Sequence, residues 1–198
     1  MRRRVYADIE ALVLPLSPLI QKLVAYEAKA DISDPNQFLK EMRKHLQGDV
    51  TQAVDARSIA GPRHLQAAAL QTLLSKERGE PWIKDASLRF IAYLTLERQV
   101  SEAVKRGGIK VGQGSSIVVC VVTVDHEEAL KCLEEFVSHQ NLSYSPGSIS
   151  NGSMERVSWL MRFYEVGEEE LRAGKEVEAL EALADVLLER MAVLSLAV

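Results

Sequence analysis

Ser116-Ile117-Val118-Val119-Cys120-Val121-Val122-Thr123-Val124 is the stretch that decides the fold class. The six residues from Ile117 to Val122 are all apolar and five of them are β-branched, so the strand they form has no polar face and must be buried on both sides. Helices are therefore needed on each face of the sheet it joins. Directly after it, Asp125 and Glu128 have capping-box spacing, and Ala129, Leu130, Leu133, Phe136 and Val137 continue as one helical stripe.

Working toward the N-terminus, residues 7–14 read as a strand. Ser17-Pro18 predicts a cap and first-turn proline for a helix carrying Leu19, Ile20, Leu23 and Val24 on one side. Asp34-Pro35 repeats the device for Phe38, Leu39, Met42 and Leu46, with Gly48 closing that helix. Residues 50–54 read as a short strand, and Gly61-Pro62 opens a helix with Leu65, Ala69 and Leu73 on one stripe. A turn over residues 79–81 precedes a helix over 85–96. A shorter helix over 98–106 ends at Gly107-Gly108, which predicts a left-handed cap. C-terminal to the central strand's helix, residues 141–152 form a Ser/Gly/Asn loop. Helical segments follow over 154–163 and 168–173, and then a long amphipathic one with Val177, Leu180, Leu187, Met191 and Leu194. There is no internal repeat. The expected fold is α/β: a single domain over residues 1–198 with a small mixed β-sheet covered by several helices.

Composition narrows the classes. A chain of 198 residues with 47% hydrophobic and 26% charged positions is long and apolar enough to bury a core. Two cysteines, Cys120 and Cys132, cannot build a disulfide framework or a four-ligand zinc site, which points to a reducing, cytoplasmic setting. Met1-Arg2-Arg3-Arg4 has the start of a signal peptide, but Asp8, Glu10, Pro15 and Pro18 interrupt the apolar run. No window approaches a membrane span, so the sequons at Asn141 and Asn151 read as chance matches.

No catalytic or metal site can be assembled. Gly112-Gln113-Gly114 precedes a strand, not a helix, and lacks a Gly-Lys-Ser/Thr ending, so it reads as a turn. His126-Glu127-Glu128 lacks the second histidine of a zinc protease, and His45, His64, His126 and His139 have no metal spacing. Cys120 reads as a small buried hydrophobe. No cofactor is called for.

The charge is unevenly placed. Residues 1–56 are neutral overall, residues 57–110 carry ten basic and five acidic groups, and residues 111–198 carry six and fifteen, so a formal -4 hides a +5 segment beside a -9 segment. Arg98, Glu102, Lys105 and Arg106 share one side of a short helix. On charge alone that pattern fits an ordinary solvated face with local ion pairs such as Arg98 to Glu102 better than it fits a phosphate-contacting patch, the functional reading.

Ile59-Ala60-Gly61-Pro62-Arg63-His64-Leu65-Gln66-Ala67-Ala68, then Glu97-Arg98-Gln99-Val100-Ser101-Glu102-Ala103-Val104-Lys105 and Gly108-Ile109-Lys110, resemble the kinase-binding small subunit of the KEOPS complex, the family of the PRPK-binding protein TPRKB. The likeness continues through the Val-rich strand and Leu187-Leu188-Glu189-Arg190-Met191-Ala192-Val193-Leu194; it is close over residues 50–198 and looser before them. Three departures stand out. Leu96 occupies a position that is usually small in the family, Phe90 lies where an acidic residue is common, and residues 168–178 look inserted.

The resemblance implies a subunit with no active site of its own. It would bind the small PRPK-type kinase-like ATPase, contact other KEOPS subunits indirectly, and help recruit tRNA by its 3' CCA end for threonylcarbamoyladenosine formation on ANN-decoding tRNAs. No membrane is implied. The tRNA contacts expected on that basis are Arg63, His64, Lys84, Arg98, Gln99, Lys105 and Lys110, combining phosphate pairing with base stacking or edge contacts. For the kinase partner, the candidate is the C-terminal stripe Leu187, Met191 and Leu194, whose helical spacing also fits a core position. The competing reading is a stand-alone small-molecule-binding regulatory domain that uses the sheet edge and the Gly112 to Ser116 loop.

Overall fold

In a computed structural model the described residues are 2–6, 9–78, 82–172 and 178–196, with side chains from residue 9 onward except that of residue 172. The expected turn at residues 79–81, the start of the first strand at residues 7 and 8, and residues 173–177 of the apparent insertion, Val177 among them, lie outside them. The strands are β1 (Arg2–Tyr6), β2 (Ile9–Pro15), β3 (Lys22–Ile32), β4 (Val50–Asp55), β5 (Gly112–Thr123) and β6 (Ser143–Tyr144). The helices are α1 (Pro35–His45), α2 (Pro62–Glu77), α3 (Ala86–Thr95), α4 (Val100–Gly107), α5 (His126–His139), α6 (Met154–Tyr164), α7 (Glu168–Arg172) and α8 (Ala179–Leu196).

The sheet runs β1-β2-β3-β5-β4, with β6 beside the second half of β3. The α/β class holds, but every pairing among the described residues is antiparallel, so the sheet is not mixed. As its sequence requires, β5 is buried on both faces. Val118, Cys120 and Val122 join Leu12, Leu14, Leu23 and Ala25 against α2, α3, α4 and the end of α8. Ile117, Val119 and Val121 join Val13, Val24 and Tyr26 against α1 and α5. A third cluster packs α6 on the first half of α8 through Val157, Leu160, Tyr164, Leu180, Leu183 and Leu187.

The main correction falls on residues 19–24, expected as a helix. Lys22–Ile32 is an 11-residue strand, paired by β2 and β6 on one edge and β5 on the other. Leu23 and Val24, placed on one helical side by the sequence reading, face opposite cores. Pairing on both edges outweighs the helical propensity of its Ala, Glu and Lys residues.

Of the expected caps, Asp34 and Asp125 each accept a hydrogen bond from a first-turn amide of α1 and α5, while no helix begins at Ser17-Pro18; Asp85 and Ser153 cap α3 and α6 in the same way. The left-handed cap expected at Gly107-Gly108 is absent, because Gly108 sits at φ -72. These glycines serve close approach instead: a Cβ on Gly107 would collide with the Thr95 methyl, and one on Gly108 with the Val104 carbonyl. Among the described residues no helix is long and apolar enough to cross a membrane.

Candidate functional site: the Arg98 loop and its surroundings

The loop between α3 and α4 carries Glu97, Arg98 and Gln99. It begins with Leu96 in the left-handed conformation at φ 59, its N–H bonded to the Ala92 and Tyr93 carbonyls. Glycine takes that conformation freely and asparagine or aspartate fairly readily, whereas the Cβ of a leucine there costs about 1 kcal/mol. The departure noted at residue 96 thus falls where the backbone favours a glycine. Trp82 braces the loop from outside, donating its indole N–H to the Arg98 carbonyl at 3.1 Å while packing edge-on against Tyr93.

Beneath the loop lies a hollow of 460 Å³ that reaches from Arg98 past Arg106, Tyr164 and Arg190 to Val193. Arg106 pairs with Glu97, donates to the Phe163 carbonyl and stacks on the Phe163 ring at 4.6 Å. Arg190 donates to the Tyr164 carbonyl at 2.6 Å and holds Glu170 through both its oxygens at 2.8 Å. Both guanidinium groups are therefore committed to holding α4, α6, α7 and α8 together. Sequence reasoning missed Trp82, Tyr164 and Arg190 as builders of this site. The signal available was their hydrogen-bonding capacity inside an otherwise apolar cluster.

Tyr164 is fully buried, and its hydroxyl donates toward the carbonyls of Ser58 and Leu94 at 2.5 and 2.9 Å. His64 packs edge-on against its ring. The His64 Nδ1 accepts the Ala60 N–H at 3.2 Å, which makes the imidazole a brace for the turn that Gly61 opens at φ 95. Burial pushes its pKa down to about 4, with the Leu94 carbonyl opposing that shift in part. A neutral, fully enclosed ring cannot touch a phosphate or stack on a base, so the structure removes His64 from the set of surface contacts.

The other six expected contact residues are exposed, though not as one cluster. Arg98 and Gln99 form the loop, Lys105 lies on the open side of α4 with Glu102 at 3.5 Å, and Lys84 directly precedes the Asp85 cap of α3. Arg63, in the first turn of α2, reaches Asp185 of α8 at 2.8 Å. Lys110 lies past the other end of α4, 3.9 Å from an Asp55 carboxylate that Arg57 already holds at 2.8 Å.

The stripe expected to meet a partner is core. Leu187 packs on α6, and Met191 and Leu194 on the sheet-side helices, all buried. What α8 leaves open near its end is the opposite side, where Val193 is 65% and Leu196 82% exposed. Cys120 is buried, which raises its thiol far above the usual range, and Cys132 is raised by burial and by Glu128 and Glu135. Among the described residues no group of three His, Cys, Asp or Glu side chains is placed to hold a metal ion.

No individually curated protein matches the chain significantly. A family model does: that of the kinase binding protein CGI-121, which matches residues 30–195. The matched span runs from the last residues of β3 to the penultimate residue of α8 and so includes the Arg98 loop, the Tyr164–His64 brace and both sheet-covering helix layers. With that span of more than four-fifths of its length, the chain belongs to the kinase binding protein CGI-121 family.

Proposed function

We propose that this chain is a non-catalytic, cytoplasmic subunit of KEOPS that binds the small kinase-like ATPase subunit and holds tRNA by its 3' CCA end, supporting threonylcarbamoyladenosine formation on ANN-decoding tRNAs. Membership of a kinase-binding family across residues 30–195 is the observation that carries this reading. The surfaces divide the two tasks. Exposed Arg63, Lys84, Arg98, Gln99, Lys105 and Lys110, within the segment of net charge +5, are the RNA-facing groups. Val193 and Leu196 at the open end of α8, replacing buried Leu187, Met191 and Leu194, are the kinase-facing ones. Because Val193 and Arg98 line one hollow, the kinase and the RNA end would lie side by side.

Each phosphate contact adds to a salt-dependent affinity. Arg98→Glu with Lys105→Glu weakens binding of intact tRNA by roughly tenfold or more at low salt, and removing the CCA end does the same to the wild type. Filter binding that is unchanged by either alteration overturns the RNA assignment.

A second reading draws on a separate hollow of 280 Å³ at the Gly114 to Ser116 segment, with Arg57 and Lys110 on its rim. That hollow suits a small polar ligand and a stand-alone regulatory role. A metabolite that raises the melting temperature, with no response to tRNA, would favour it.

A further inference from the structure

A different surface, along the outer edge of β4, has its own chemistry. β4 ends the sheet, with α1 on one face and α3 and α4 on the other. An edge strand must find partners for its outward backbone groups. At Val54 an antiparallel bridge to Gly108 covers that edge, and ahead of it side chains stand in for a neighbouring strand: Thr51 N–H donates to Ser87 Oγ at 3.1 Å, and Ala53 N–H to Oε1 of Gln52, its own neighbour, at 3.0 Å.

Beside Ala53 opens a groove of 400 Å³ whose walls include Leu39, Leu88, Ile91, Val104 and Ile109. Val104 is 42% exposed there. Lys40 and Arg43 line the α1 bank, three residues apart and both exposed. Neither makes an ion pair among the described residues, whereas Lys44 on the same helix is paired with Glu41 at 2.7 Å. Acidic groups on the surrounding elements are engaged or line another hollow. Asp34 caps the first turn of α1, Glu41 is held by Lys44, Glu102 pairs with Lys105, and Asp49 and Asp85 line, with Arg43, a separate hollow.

We propose that this groove docks a short, extended, acidic segment of a partner protein. One apolar side chain of the segment seats between Leu39, Leu88 and Val104, and a flanking carboxylate meets Lys40 and Arg43. A backbone carbonyl of the segment takes the Ala53 N–H in place of the Gln52 amide, as in strand-edge recognition. Charge complementarity selects the acidic character. The apolar walls select a peptide over RNA, because no aromatic ring lines the groove for a base to stack on. This inference does not depend on the kinase and tRNA reading.

The test uses the full chain, ¹⁵N-labelled, titrated with an end-blocked hexapeptide alternating Glu or Asp with Leu and Val. A lysine-for-acid version, an alanine-for-apolar version and a single-stranded RNA hexamer are titrated alongside. The expected result is movement of the Leu39, Ala53, Val104 and Ile109 amides with the acidic peptide alone. Lys40→Glu with Arg43→Glu should weaken it about fivefold to tenfold, the size of two exposed charge contacts. Both side chains are exposed, so the variant should keep a folded amide spectrum and a cooperative urea transition, which serve as the folding control, with the midpoint lowered only slightly by the reversed charge in the last turn of α1. Equal binding of the lysine peptide, an unaffected double variant, tighter RNA binding at the same amides, or no movement of these amides each overturns the proposal. None of these results bears on kinase capture or on CCA-dependent binding.

Discussion

His64 offers the sharpest test of how the family motif works, because the structure makes it a buried neutral brace. In an unfolded chain its imidazole has the ordinary value of 6.5, whereas in the folded protein burial holds it at about 4. As pH falls from 7 to 5 the unfolded chain takes up most of a proton at this site and the folded chain about a tenth of one. The unfolded state binds more protons, so stability must fall with pH across this window. Integrating the two titrations gives a loss of about 2 kcal/mol between pH 7 and pH 5 from this one residue. Below pH 4 both states are protonated and the loss levels off.

Urea denaturation followed by circular dichroism at half-unit pH steps measures the slope. His64→Asn supplies the control, since its amide oxygen can still accept the Ala60 N–H while nothing at the position titrates. That variant is less stable throughout, having lost the ring packed on Tyr164. The informative quantity is the pH dependence, which should be flatter than wild type by about 2 kcal/mol over the window. A ring-proton NMR titration gives an independent readout in which the folded wild-type His64 shows no midpoint between pH 5 and 8. Parallel pH slopes for the two proteins, or a His64 midpoint near 6.5, would refute the buried-brace reasoning and return the residue to the surface.

Two further outcomes follow from the same region. Tyr164→Phe removes the donor shared by the buried carbonyls of Ser58 and Leu94 and should cost about 1–3 kcal/mol in a urea titration; a loss below about 0.5 kcal/mol would mean that those carbonyls find other partners. Gly107→Ala drives a methyl into the Thr95 side chain and should destabilise by about 1–3 kcal/mol through overpacking. A neutral or stabilising result there would show that α3 and α4 can separate at no cost.

Much of this architecture could be read from local signals. The β-branched run of β5 announced a doubly covered strand, and Asp34 and Asp125 marked helix starts through a side-chain oxygen placed before an apolar stripe. β3 could not be read that way. Its Ala, Glu and Lys content suits a helix, and what makes it a strand is pairing along both edges with segments distant in sequence. The two residues of β6 are too few to show any period.

The site was legible in its exposed cations but not in its supports. Arg63 and His64 are adjacent in one motif, yet the helical turn sends the first outward to Asp185 and the second inward to Tyr164. The apolar stripe of α8 misled for a related reason. Different stretches of that helix serve different clusters, so Leu187, Met191 and Leu194 are consumed by two cores and only the side bearing Val193 and Leu196 stays free. The +5 segment, in turn, is distributed around α4 and its flanks, with Lys84 before α3, Arg98 at one end of α4 and Lys110 beyond the other.

The central claim is that this chain binds a kinase-like ATPase through the open end of α8. Affinity capture of the tagged full chain from the cells that natively express it, with the recovered proteins identified by mass spectrometry, tests it most directly. The account predicts a small kinase-like ATPase recovered in stoichiometric amount. That partner should be lost from a folded Val193→Asp, Leu196→Asp variant and retained by Arg98→Glu, Lys105→Glu. Recovery of no kinase-like protein, or its full retention by the α8 variant, would contradict the account.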